Sequence, residues 1–178
     1  IHLWDSRRHQ EALDSAARLG SIAPGIAHMW HMPGHIYSKA KRYQDAVWQQ
    51  QASARIEHAH MQKWFLLPDQ IHNYAHNNEW LSRNFSHLGS VRASIDMAKS
   101  LLANPRHPTL NNPGKGSARY GRRALIDELE KAELWREALE TANARWLETL
   151  AEPEDDLSRV RLVAVAELNI TQKVERRK

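Results

Sequence analysis

The feature that most constrains this chain is an internal repeat. His9-Gln10-Glu11-Ala12 returns as Tyr43-Gln44-Asp45-Ala46, with the two alanines thirty-four residues apart. A ring stands three residues before each alanine, and the first segment continues through Ala16 and Leu19 to Pro24. Upstream of Tyr43 the same frame requires a small residue nine positions earlier and an aromatic six earlier, and Gly34 and Tyr37 are there. A third unit reads Ser82, Phe85, Gly89, Val91, Ser94 and Pro105, and a fourth reads Trp135, Ala138 and Ala142. The later spacings, 48 and 44 residues, place longer connections near residues 58–70 and 104–116.

A thirty-four-residue period is that of the tetratricopeptide (TPR) helix pair, which cannot bury its apolar face alone and therefore stacks. The expected fold is all-α, a TPR-like helical-repeat solenoid of antiparallel helix pairs. Ala12, Gly34, Ala46, Ser82, Ser94 and Ala138 are read as close-approach positions between helices. The tryptophans are read as core, with Trp30, Trp64 and Trp80 nearest a functional surface. Residues 1–103 form the first set of helix pairs, 104–117 a Pro- and Asn-rich loop, and 118–178 further helices ending in one over about 157–174. The run at 160–166 could pass for a strand, but its setting between helices makes it a buried helical face.

Hydrophobic residues make up 42 % of the chain and charged residues 26 %, ordinary for a folded protein. No apolar stretch approaches the roughly 18 residues of a membrane span. Cysteine is absent, which removes disulfides, thiolate metal sites and cysteine nucleophiles from this chain. The net charge of +4 is dispersed and leaves no footprint for a specific nucleic acid. A first residue of Ile1 inside an apparent helix makes the chain read as part of a larger protein or complex.

Seven of the eleven histidines fall between residues 28 and 76: His28, His31, His35, His58, His60, His72 and His76. With Gly34 as the eighth position of its helix, His28, His31 and His35 take positions two, five and nine, which line the concave groove of such an array. With Ser82 as the eighth, His76, Glu79 and Arg83 take the same places. His72 and His76 share a helix face, and Asp69 lies one turn earlier. A His-x-x-x-His pair with a third His or a carboxylate makes a three-ligand site with an open position. The candidate ligands are His28, His31, His35, His72, His76, Asp69 and Glu79, for a divalent transition metal: zinc, copper, iron or manganese. Pro33 complicates this, since a helix starting near Met32 would leave His28 and His31 on the entry loop.

No His-Glu-x-x-His helix, nucleophile elbow or phosphate loop occurs; Gly114-Lys115-Gly116-Ser117 lacks the earlier glycine and the preceding strand.

His31-Met32-Pro33-Gly34-His35-Ile36-Tyr37, followed by His72-Asn73 within residues 69–77, resembles a group of bacterial TPR proteins carrying a His-Met-Pro-small-His-Ile-Tyr motif. The resemblance runs from residue 1 to about 150. It is closest to multidomain members in which such a region accompanies a thioredoxin-like redoxin domain, whose catalytic cysteines this chain lacks. The resemblance implies a fold and a context, not a reaction.

Two functions follow as expectations. The first is an interaction module that binds a protein or acidic peptide in a groove lined by His35, Tyr37, Asn73, Asn77, Arg83, Arg119 and Arg122. The second is a metal-binding or metal-dependent catalytic domain built on the histidines.

Overall fold

The computed structural model describes residues 2–110, 116–150 and 152–175, apart from the side chains of residues 155 and 174. Among these residues there are nine α-helices and no strand: α1 His2–Asp5, α2 His9–Ile22, α3 Ala27–Lys39, α4 Tyr43–Trp64, α5 His72–His87, α6 Val91–Ala103, α7 Gly116–Lys131, α8 Trp135–Ala142 and α9 Pro153–Glu175. Short 3-10 turns at Pro68–Gln70 and Arg145–Leu147 interrupt two of the connections. No helix among the described residues is long and apolar enough to cross a membrane.

The repeat is written into the backbone. Arg7, Lys41, Gly89 and Glu133 all adopt positive φ, each two residues before the start of α2, α4, α6 or α8. The residue after each donates its N–H back across the turn, Arg8 to Leu3 at 2.9 Å, Arg42 to Tyr37 at 2.9 Å, Ser90 to Phe85 at 2.9 Å and Leu134 to Leu129 at 3.0 Å. This six-to-one bond over a left-handed residue satisfies the last carbonyls of a helix and reverses the chain. Four helix hairpins therefore close with the same turn, in the register of Ala12, Ala46, Ser94 and Ala138.

Those small residues sit where helices meet. Ala46 and Ala138 are completely buried, Ala12 is 4 % exposed, and Ser82 donates to the Ser94 carbonyl at 3.0 Å across the α5–α6 contact. At Gly34 a Cβ would stand 2.7 Å from Cγ of Gln50, so α3 and α4 approach closely only without one.

Two apolar clusters result. Ala12, Ala16, Ile36, Tyr37 and Ala46 gather at one end; Ile95, Leu125, Leu129, Ala138, Leu147, Leu162 and others gather at the other. Between them the α4–α5 interface is polar: Gln50, Ser53, Glu57, Asn77 and Asn84 are all buried. Helices α6 and α7 pack together across the connection expected to divide the chain, and α5 packs on both. Residues 111–115 of that expected loop, with Gly114 and Lys115 of the discounted phosphate-loop fragment, lie outside the described residues. The last helix starts at Pro153, four residues earlier than expected, with proline in its first turn where no N–H is needed.

Candidate metal centre

Helix α3 begins at Ala27 and runs through the buried Pro33 without a break, so His28, His31 and His35 lie on one regular helix. The entry-loop alternative fails because the proline withholds only the N–H that would bond back to Met29, and packing on both neighbouring helices holds the turn in place.

His31 and His35 meet His76 of α5. One ring nitrogen from each lies within 4.8 Å of the other two. Nε2 of His31 and Nε2 of His35 stand 2.7 Å apart. The ring centroids are 5.1 Å apart for His31 and His76, and 5.6 Å for His35 and His76. Nitrogens bound to zinc at about 2.0–2.1 Å stand roughly 3.3 Å from one another in a tetrahedron, so the triad needs shifts of about an ångström to close on an ion. Trp80 walls the site, its ring edge-on to His35 at 4.4 Å.

The tautomer of His31 is fixed from behind. The Asn77 amide nitrogen donates to the Gln50 carbonyl at 2.9 Å, which leaves Oδ1 of Asn77 facing Nδ1 of His31 at 2.9 Å. Nδ1 must therefore carry the proton, and Nε2 presents its lone pair toward His35. Asn77 and His31 are 0 % and 2 % exposed. Asn84 donates to Oε1 of Gln50 at 2.8 Å, so the support extends another layer into the polar seam.

Burial sets the charge state. It pushes His31 down to about 4 against the opposing Asn77 hydrogen bond, and the neighbouring rings push the same way. His35 falls to about 3 through burial and then the proximity of His31 and His76. His76 is lowered by burial, by His72 and by Arg123 and Arg83. All three are neutral at pH 7, the form that binds a metal.

The other proposed ligands fall outside the triad. His28 and His72 are exposed neighbours, with ring centroids 5.8 Å from His31 and 5.7 Å from His76. Glu79 is 3 % exposed but belongs to arginine: Arg123 donates to it at 2.7 Å through Nε and again through its terminal nitrogen, and Arg83 lies 3.7 Å away. Asp69 accepts from the Ser117 N–H and hydroxyl at 2.8 Å and the His107 N–H at 2.9 Å, holding the start of α7. Of the two His-Asn pairs, His76-Asn77 enters the site, while Asn73 turns to Glu57 at 2.6 Å.

The groove residues also need correction. Tyr37 is 6 % exposed in the first core cluster. Arg122 is 7 % exposed, pairs with Asp156 of α9 at 2.5 Å and donates to the Glu148 carbonyl at 2.8 Å. Arg119 is exposed and Arg83 lies over the Trp80 ring at 4.7 Å. Counted from the shared turn, positions two, five and nine of α7 are Tyr120, Arg123 and Asp127, one residue on from Arg119 and Arg122, and the ring of Tyr120 is 6.0 Å from those of both His72 and His76. The sequence carries this register, because Gly34 precedes Ala46 by the twelve residues that separate Ser82 from Ser94, and twelve back from Ala138 is Ile126. Ile126 is bulky where the frame expects a small residue, which masks the register. Of the three tryptophans read as nearest the surface, Trp80 alone borders the triad; Trp30 packs on Trp48, and Trp64 is 58 % exposed.

Compared with known proteins, the chain matches no family model, no curated sequence and no solved structure.

Proposed function

We propose that this chain is a TPR-like solenoid whose groove holds a divalent transition metal on His31, His35 and His76. The observation that carries the reading is the convergence of three neutral imidazoles from two helices, one of them locked by Asn77 with its lone pair toward the centre. The four identical hairpin turns support the solenoid, and with it the resemblance to the bacterial TPR group. Three protein ligands leave a coordination position open, and an ion there would supply Lewis-acid chemistry to a bound group. Tyr120, Arg123 and the exposed His72 stand on the α7-facing side of His76, where a bound group would meet a phenol, a guanidinium and an imidazole.

The acidic-peptide groove is the weaker reading of the same surface. Arg122 and Tyr37 are committed to packing, and Arg83 shares Glu79 with Arg123. Zinc, copper, iron and manganese uptake by tag-free protein, measured by elemental analysis and calorimetry, tests the proposal. One ion per chain is expected, with loss of binding in both His31→Ala and His76→Ala and retention in His72→Ala. Equal binding by all three variants sinks it.

A further inference from the structure

The face of α5 that carries His76 continues through Glu79 and Arg83, and the facing row of α7 continues through Arg123 to Asp127 and Lys131. Beyond the Glu79–Arg123 pair these rows part around a cavity of about 250 Å³, floored by Ser82 and Ser94. Its charged lining is Glu79, Arg83, Asp127, Glu128 and Lys131, with the neutral His87 beside them.

The charges there do not cancel in pairs. Glu79 is answered by its two arginines. Glu128 is 4 % exposed, yet its carboxylate makes no hydrogen bond or ion pair among the described residues. Lys131 donates to the Ser86 hydroxyl at 2.7 Å and reaches no carboxylate of the described residues within ion-pair distance. Asp127, exposed, makes no ion pair among the described residues, although Arg123 and Arg83 stand near enough to act on its carboxyl. The Glu128 carboxylate opens on the cavity, and charges of both signs face that one space without touching, an arrangement a ligand carrying both signs would bridge.

We propose that this cavity binds a free α-amino acid, its ammonium held by Glu128 and Asp127 and its carboxylate by Lys131 and Arg83. The opposite charges of an amino acid lie one carbon apart, which fits a small space lined by both signs. A lone cation would face Lys131 and Arg83, and a lone anion would face Glu128. The volume is below the roughly 300–1,000 Å³ of pockets for drug-sized ligands, which limits the occupant to about that size. The assignment goes beyond the metal centre and does not depend on it.

The test uses the whole 178-residue chain with EDTA present, so that amino acids cannot bind by chelating an ion at the histidines. Each of the common amino acids is titrated by calorimetry and thermal shift, with acetate and methylammonium as single-charge controls. At least one amino acid is expected to bind, with neither control competing, and Glu128→Gln and Lys131→Gln should each weaken it about tenfold or more. Glu128→Gln keeps the shape, and melting of the ligand-free variant beside the parent separates lost binding from lost folding. Metal uptake should be unchanged in Glu128→Gln. The proposal is overturned if no amino acid binds, if acetate or methylammonium binds as well, or if Glu128→Gln retains full affinity.

Discussion

Acid should unfold the metal-free protein through its own histidines. Relative to the ordinary value of 6.5, the folded state holds His31 down to about 4, His35 to about 3, and His76 lower as well. Between those values and 6.5 the unfolded chain binds more protons than the native one, so stability falls as pH falls. At about 1.4 kcal/mol per pH unit, His31 alone costs on the order of 3 kcal/mol by pH 4, and His35 and His76 add losses of the same sign. Glu57 opposes them. Burial pushes its carboxyl up from 4.5 to about 7 against the Asn73 hydrogen bond, and Oε2 has no partner. Its folded state binds the extra proton, so between pH 7 and 4.5 it returns stability as pH falls, and below 4.5 it returns nothing more. Between about pH 6.5 and 4.5 Glu57 therefore cancels one histidine's share of the decline, about 1.4 kcal/mol per pH unit, and below about pH 4 the decline slackens as His31 takes up its own proton in the fold. Urea unfolding followed by circular dichroism in EDTA, at half-unit pH steps, measures it. In Glu57→Gln the decline between pH 6.5 and 4.5 should be steeper, because the opposing proton is gone while the amide oxygen still accepts from Asn73. A stability that rises as pH falls from 6.5 to 4, or a Glu57→Gln curve parallel to the parent, would show that these groups do not have the burial described.

Three further outcomes follow from the same contacts. Asn77→Ala removes the group that fixes the His31 tautomer and should weaken metal binding about 10–100-fold, measured by competition with a chromophoric chelator; unchanged affinity would remove Asn77 from the site. Arg122→Ala should destabilise by on the order of 3 kcal/mol in urea, near the low end for a broken buried pair because Arg159 still reaches Asp156 at 2.5 Å; a loss below about 1 kcal/mol would return Arg122 to the surface. Ala46→Leu should cost roughly 1–3 kcal/mol by overpacking a completely buried contact, and a neutral result would contradict the shared register.

Helix content, the hairpin register of three repeats and the identity of the histidine row were legible in the sequence, because small residues at fixed spacing report where backbones approach and side chains four apart share a face. His31, His35 and His76 could be named as candidates on that ground. Their selection from seven ligands was decided by tertiary structure. Asp69 and Glu79 had suitable chemistry and spacing, but Ser117 and Arg123, each more than forty residues away, occupy them. The role of Asn77 depends on the Gln50 carbonyl across the α4–α5 seam, a pairing no local pattern records. Arg122 and Arg123 are adjacent and chemically alike, yet one is buried against α9 and the other faces Glu79, because a single residue turns a helix by about 100 degrees. Sequence periodicity specifies what each helix offers on each face; which offer is taken depends on the helix that arrives opposite, and that is a property of the assembled fold.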